Sequence, residues 1–587
     1  MLNHLSALDA LFLYLETPET PMHVGSLILM QKPRGHKSSF YKSIRKHVVS
    51  RMHLAPLFSR KLAFMPFDLA NPIWVDADAI DLDWHIQALT LPTPGSRTQL
   101  EAAVATLHEG MLDRDRPMWQ FTVIEGLDSG EIAFYAKIHH AGLDGQGGVA
   151  LAQAVLDIEP QPKARAATEA AAKTSASLPP SAARMISAAL RTSVAQYGKI
   201  LKALPDAVKM VGGLTVSALS ASQAKKLGAP SEQLTGAIDS TAGLASVAAS
   251  LATLKMTDTP LQAAKKLLPK GMKLGPRTPL NVAIGGKRAF ATARLPLDET
   301  KAIAKHFDVK LNEVVLATCA GALRRYFAND KSALAKAMVG AVPASLRAPG
   351  DTSQNNQVTM MLINLATNIA DPVKRMEAIR ASSQAAKMMA GAMKGVMSTA
   401  TSDLPTLGIP WLMSIITPLY KTAVASNRIP VVANVVISNV PGPPIPLYMA
   451  GAKMMSYYPV SIVTHGLALN ITIHSYAGML DYGFIAAKNE VPKLDKLTGM
   501  LRAAHDELLA LVVSPAGDEK ATEKMVKQTV AETVKKTVKK TVAKPVARKR
   551  TTAPSKVPAK FKAKPMPTAK KTTRASTRPI AAKKKAR

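Results

Sequence analysis

The sequence predicts an α/β protein with two ordered stretches, and three observations carry that reading. Residues 1–159 and 276–516 mix segments that alternate apolar and polar with segments whose apolar residues recur at helical spacing. Between them, residues 160–275 shift to Ala, Ser, Lys and Leu with very few aromatics and no strand pattern, which marks a linker containing helices. Residues 517–587 form a basic tail, an amphipathic helix followed by a disordered arm.

The elements follow in order. Leu5, Leu8, Leu11, Phe12 and Leu15 stand at helical spacing, and residues 24–30 read as a strand closed by Lys32-Pro33-Arg34-Gly35. Residues 40–53 have a helical pattern that ends before Pro56, and residues 71–76 and 81–86 are short alternating segments of half-buried strand type. A helix over residues 100–112 puts Val104, Leu107 and Met111 on one face. Residues 118–125 form a strand that Gly126-Leu127-Asp128-Ser129-Gly130 turns back into a second strand over 132–138.

In the second stretch, residues 289–295 alternate as a strand and a helix over 298–307 opens with Asp298 and Glu299, acids that suit a helix N-terminus. Leu311-Asn312-Glu313 opens a strongly apolar helix running to Phe327. Strands are expected at 338–342, ending at Pro343, and at 358–365, 431–437, 467–473 and 479–486. A helix over 494–513 closes the stretch.

At 587 residues the chain exceeds one ordinary domain. Its one cysteine, Cys319, excludes an internal disulfide and a cysteine zinc site, so a reducing, cytoplasmic setting is expected. The opening Met1-Leu2-Asn3-His4 lacks the basic region and apolar run of a secretory signal. No window reaches the roughly 18 uninterrupted apolar residues of a membrane span. Residues 407–420, interrupted by Pro410 and Pro418, read as a buried or interfacial helix, so membrane contact should be peripheral.

The net charge of +34 is unevenly placed: residues 520–587 hold 23 Lys or Arg against Glu523 and Glu532 alone. That puts +21 in the tail and leaves +13 for the other 519 residues. Valines at 526, 530, 534, 538 and 542 would stripe one face of a helix there. Such a tail is attracted to anionic lipid head groups or, non-specifically, to nucleic acid.

The chemistry centres on His139-His140-Ala141-Gly142-Leu143-Asp144-Gly145, which follows the strand over 132–138 and leads through Gly147-Gly148 into apolar sequence. Strand, tight loop and helix together hold a side chain rigidly at a sheet end. A neutral imidazole, with an ordinary pKa of about 6.5, can take a proton from an alcohol at neutral pH. Two histidines satisfied by backbone carbonyls are the alternative. Adjacent strand residues point to opposite faces, so the pair is not expected to share a metal, and only one ring should face the active space. His140, four residues before Asp144, is the expected base.

Other landmarks surround this loop. They are Leu5-Ser6-Ala7-Leu8-Asp9-Ala10, Met22-His23-Val24-Gly25, Pro117-Met118-Trp119, Pro279-Leu280-Asn281 and Leu311-Asn312-Glu313-Val314. Val342-Pro343-Ala344-Ser345-Leu346-Arg347 and Ser438-Asn439-Val440-Pro441-Gly442-Pro443 follow. In this order they resemble the bacterial wax ester synthase/acyl-CoA:diacylglycerol acyltransferase family, within the CoA-dependent acyltransferases that carry a His-x-x-x-Asp-Gly signature.

The resemblance implies a two-lobed fold of mixed sheets with flanking helices and an interlobe tunnel. Acyl-CoA would enter as a substrate from one side and diacylglycerol or a fatty alcohol from the other, with no metal or other cofactor. His140 would be the general base for direct attack on the thioester, with His139 supporting and Asp144 and Gly145 shaping the loop. Asn312 would be a hydrogen-bond donor near the developing oxyanion; before an apolar helix, its other available role is an N-cap. The setting implied is cytoplasmic, peripheral to the inner membrane or to lipid inclusions. A non-catalytic scaffold, tethering lipid granules to membrane or nucleoid through the tail, is the competing function. Two residues depart from the family pattern: Glu313 replaces an aspartate, and Met118 replaces a leucine in a volume-conserving way.

Overall fold

The structure is a computed structural model, and it describes residues 5–33, 35, 39–143, 145–161, 274–345, 358–402, 409–427 and 430–513. The body of the linker expected over 160–275 and the tail expected over 517–587 lie outside the described residues.

The first stretch runs α1 (Ala7–Leu15), β1 (His23–Gln31), α2 (Tyr41–Val49), β2 (Arg60–Ala63), β3 (Ile73–Asp76), α3 (Leu82–His85) and β4 (Ile86–Thr90). It continues with α4 (Arg97–Glu109), β5 (Trp119–Glu125), β6 (Ile132–His139) and α5 (Gly145–Val155). Local side chains set the helix starts. Ser6 Oγ accepts the Asp9 N–H at 3.1 Å to open α1. Ser96 and Gln99 close a reciprocal capping box on α4, each side chain accepting the other's N–H, at 3.3 and 2.7 Å.

The second stretch runs β7 (Arg288–Pro296), α6 (Leu297–His306), α7 (Leu311–Tyr326), β8 (Val339–Ser345), β9 (Val358–Asn364), α8 (Pro372–Ser402) and α9 (Ile409–Ala425). It ends with β10 (Val435–Val440), β11 (Tyr448–Met449), β12 (Ala452–Val460), β13 (Leu469–Tyr476), β14 (Met479–Ala487) and α10 (Leu494–Val513).

These strands build two six-stranded mixed sheets, ordered β11-β12-β1-β6-β5-β4 and β7-β14-β13-β10-β8-β9, plus the β2-β3 ribbon. The arrangement is two-lobed and mixed α/β. Strand β6, buried at every residue, lies between antiparallel partners β1 and β5 at the middle of the first sheet. The first sheet also takes β11 and β12 from the second stretch of chain, β12 pairing antiparallel with β1.

The sheets meet where β12 crosses β14. Asp481 on β14 accepts the Tyr457 N–H of β12 at 2.8 Å and an Arg294 Nε contact at 2.9 Å, while Arg294 donates to Met455 O at 2.8 Å. Burial pushes the Asp481 carboxyl up to about 6 against these contacts. A Cβ built on Gly483 would lie 1.8 Å from Pro459 O, so the two backbones touch where only glycine fits. One apolar core runs across this crossing, from Leu27, Leu29 and Tyr135 of the first sheet to Ile471, Ile473 and Phe484 of the second.

Three expectations need correction, and two elements had not been expected. Residues 81–86 are not one strand: Asp81 Oδ1 accepts the N–H groups of Asp83 and Trp84, both at 3.2 Å, and so winds a helical turn before β4 begins. The strand expected to stop at Pro343 continues through it to Ser345. Strand β10 pairs with β8 only at Gly340 and Ala341, so Pro343 has β9 alone as a ladder partner and its missing N–H is tolerated. The helix expected over 40–53 ends at Val49, followed by a 3-10 turn at Met52–Leu54. Strand β12 and the long helix α8 had no counterpart in the sequence reading; Ser456 and Pro459 interrupt the apolar signal of β12. The helix expected within 407–420 is α9, which keeps Pro418 inside it.

Candidate functional site

The central strand β6 delivers His139, and the chain leaves through a 3-10 turn, His140–Gly142, before Gly145 opens α5. Backbone bonds pin the histidine pair on both sides. His139 N–H donates to Met118 O at 3.0 Å, and His140 N–H donates to Met22 O at 2.9 Å. The Met22-His23 and Pro117-Met118-Trp119 landmarks therefore act as backbone brackets for the loop. Met118 and Trp119 are themselves fully buried. Gly142 fits against Leu57 and Trp74, where a Cβ would come within 2.8 Å of Leu57 Cδ1.

The two rings have different surroundings. His139 is completely buried. Its Nδ1 accepts the Ala141 N–H at 3.1 Å, which puts the ring proton on Nε2, 3.4 Å from Glu16 Oε2. Glu16 Oε1 in turn accepts the Met22 N–H at 2.9 Å, and Oε2 takes Arg114 at 2.8 and 3.2 Å. Burial by itself pushes the Glu16 carboxyl up, but His139, the Met22 N–H and Arg114 together hold it below the usual carboxylate value.

His140 is partly buried and lies flat on Phe12, ring centroids 3.9 Å apart and planes 14° apart. Burial lowers its pKa to about 4, so the ring is neutral at pH 7. Its Nδ1 has no hydrogen-bond partner among the described residues.

Asp144 lies outside the described residues. Asn312 is the second residue of α7, whose N-cap position belongs to Lys310, so Asn312 is not the cap. Its Oδ1 accepts Asn439 Nδ2 at 3.4 Å, joining α7 to the Ser438-Asn439-Val440 landmark on β10. No hydrogen bond joins Asn312 to the histidine loop among the described residues. The longer acid at Glu313 reaches back to the Lys310 N–H at 2.9 Å and also holds Lys387 Nζ at 3.0 Å. The glutamate thus supplies its own helix-start contact.

Sequence reasoning missed a set of polar residues buried beside the loop. Tyr135 donates to His108 Nδ1 at 2.7 Å, and His108 Nε2 donates to Ser461 O at 2.9 Å. His23 Nε2 donates to His108 O at 2.8 Å. Lys137 Nζ donates to Leu107 O and Gly110 O, both at 2.9 Å, and burial lowers its pKa to about 8. Glu16 left one readable signal: it stands four residues after Phe12 and so extends the apolar face of α1, where an acid is out of place.

An apolar cavity of about 130 Å³ lies between α5 and the first sheet, next to the loop through Leu143. Phe134, Ile138, Leu151 and, from β12, Tyr457 help to wall it. Among the described residues no group of three or more His, Cys, Asp or Glu side chains could hold a metal ion.

The two-sheet fold is shared with a solved acyl-transferring enzyme. The chain matches the wax ester synthase/diacylglycerol acyltransferase catalytic domain over residues 5–257 and 222–315, and the C-terminal domain of the same family over 354–509. It belongs to this acyltransferase family. A Mycobacterium tuberculosis protein named as a diacylglycerol O-acyltransferase is 34% identical over 505 residues, spanning 86% of this chain and 99% of the relative. A second one from that organism is 32% identical over 506 residues, spanning 85% and 97%. The solved wax ester synthase/diacylglycerol acyltransferase of Marinobacter aquaeolei superposes with a TM-score of 0.56 at 25% identity, spanning 87% of this chain and all of that one.

Proposed function

We propose that this protein transfers a fatty acyl group from acyl-CoA to the hydroxyl of diacylglycerol, of a long-chain fatty alcohol, or of both, with His140 as general base. The observation that carries the reading is the unlike state of the two imidazoles. His139 is completely buried, with Nδ1 accepting the Ala141 N–H and Nε2 facing Glu16 Oε2 at 3.4 Å, whereas His140 is only partly buried and is held by its backbone and by Phe12 with its ring neutral.

In the reaction, His140 takes the proton of the acceptor hydroxyl as the oxygen bonds to the thioester carbonyl carbon. The C–S bond then breaks, and the CoA thiolate leaves with the proton from the imidazole. Acyl-CoA is a substrate here, with no bound cofactor or metal in the scheme. The apolar cavity beside Leu143 suits part of an acyl chain. Asn312, whose Oδ1 is taken by Asn439, keeps its amide N–H groups as donors for the developing oxyanion. Asp144 and Gly145 fit a loop-shaping role, Gly145 as the first residue of α5.

Labelled acyl-CoA offered together with diacylglycerol and hexadecanol tests the function. Labelled triacylglycerol, wax ester or both is the expected product, and their ratio gives the preferred acceptor. Release of free fatty acid alone would mean that water, not an alcohol, is the acceptor.

No helix among the described residues is long and apolar enough to cross a membrane. We place the enzyme peripherally on an anionic lipid surface, cytoplasmic membrane or lipid inclusion, with the basic tail attracted electrostatically; the same charge would also hold nucleic acid non-specifically. Co-sedimentation of the full chain with anionic vesicles should weaken as salt rises. Equal binding to neutral vesicles, independent of salt, would rule out the electrostatic attraction.

A further inference from the structure

The hydrogen bonds around Glu16, with its 3.4 Å contact to His139, close a ring that includes both histidines. Glu16 Oε1 accepts the Met22 N–H at 2.9 Å, and Met22 O accepts the His140 N–H at 2.9 Å. On the other side Glu16 Oε2 faces His139 Nε2 at 3.4 Å, and His139 Nδ1 accepts the N–H of Ala141, the residue after His140. One carboxylate thus reaches His140 by two routes, through the Met22 peptide and through the His139 ring. Glu16 closes α1 as its C-cap residue, and Phe12, on which the His140 ring lies, is one turn earlier in the same helix.

We propose that Glu16 is a positioning residue for the reaction. It fixes His139 in the tautomer with the proton on Nε2 and thereby sets the place and angle of His140 over Phe12. The inference rests on the reading of His140 as the base, but its own signature is the state of His139.

The physical argument is one of donor and acceptor matching. His139 Nδ1 must stay unprotonated to accept the Ala141 N–H, so Nε2 must carry the proton and needs an acceptor in a site with no solvent. A carboxylate offers only acceptors and can serve Met22 N–H, Arg114 and His139 at once. A glutamine in its place has one acceptor oxygen and an NH₂ group that offers protons. With the amide oxygen on the Met22 side the NH₂ group faces both Arg114 and His139, and with the amide turned it faces the Met22 N–H, so at least one of the three donors meets another donor. Either His139 changes tautomer and loses Ala141, or the Met22 or Arg114 contact is lost; each outcome loosens the turn that carries His140. Arg114 also donates to Leu13 O at 2.8 Å, so it holds the end of α1 independently of the carboxylate.

The test uses the full chain and the variants Glu16→Gln, Glu16→Asp and Arg114→Gln. Two-bond ¹H–¹⁵N spectra of histidine-labelled protein report the tautomer, with His139→Asn assigning the signal. We expect a single Nε2–H signature for His139 in the parent protein and in Arg114→Gln. In Glu16→Gln that signature should become mixed or inverted, with kcat down roughly 30- to 300-fold and KM for acyl-CoA within about twofold of the parent, the range for a positioning loss near a general base. Glu16→Asp, which keeps the charge but falls short by a methylene, should recover part of kcat. Full kcat in folded Glu16→Gln would overturn the proposal whatever the His139 signature, and a lowered kcat with an unchanged signature would overturn the tautomer route, leaving the Met22 contact as the link to His140. If Glu16→Gln does not fold, Glu16→Asp carries the same test: the parent's tautomer and rate together would overturn it. Should His140→Ala keep its activity, the reading of the base fails while the tautomer result still stands on its own.

Discussion

Replacing His140 with alanine is expected to lower ester formation by about 10²- to 10⁴-fold, the usual contribution of a well-placed general base, while the protein stays folded. The fold should tolerate the change because His140 sits in a turn, partly buried, and the strand ladder ends one residue earlier at the His23–His139 pair. Circular dichroism and the melting temperature check the fold, and labelled acyl-CoA checks the rate. A folded variant with the parent's rate would eliminate His140 as the base.

The same ring sets the pH dependence. Burial lowers the His140 pKa to about 4, so the free enzyme keeps its base unprotonated from neutral pH down to that value and loses it only as pH falls through about 4. The acid limb of kcat/KM should therefore lie near pH 4, well below the ordinary imidazole value of about 6.5. So low a pKa also makes the ring a weak base, which requires proton transfer to keep pace with formation of the C–O bond. An acid limb centred near the ordinary value would mean that the His140 ring is solvated in the free enzyme.

The second large effect is structural. Gly483→Ala is expected to destabilise the protein by about 3 kcal/mol or more, the upper range for an overpacked core. The added methyl would sit 1.8 Å from Pro459 O, a backbone atom in a strand paired with β1 that has no rotamer with which to yield. Relief requires the two sheets to part at the crossing, and parting them strains the Tyr457–Asp481 bond and the Arg294 contacts beside it. Thermal unfolding measures this directly. A melting temperature equal to the parent's would show that β12 and β14 can separate freely there.

Much of the fold was legible because its signals are local. Alternation revealed β5 and β6 to within a residue, and the apolar run after Leu311 gave α7 almost to its end. The loop was legible for the same reason: strand, two histidines and glycines occupy consecutive positions. That only one ring should face the active space was expected from strand alternation; the structure separates the two rings for another reason, since the strand stops at His139 and the turn starts at His140. Residues 81–86 misled because Asp81 acts through a side-chain cap, which competes with an alternating pattern that is only weakly apolar.

By itself the sequence determined the class of fold, the family and the loop that carries the proposed chemistry, since each depends on residue types at short, fixed spacings. Only the tertiary structure decided that residues 452–460 complete the first sheet beside β1, that Gly483 must accept the backbone of Pro459, and that Glu16 meets both His139 and Arg114. Those partners lie far apart in the chain, and a buried charge or a missing side chain gives no periodic signal of its own. Its meaning depends on which group chain pairing brings opposite it, and here that group is a histidine whose proton must have somewhere to point.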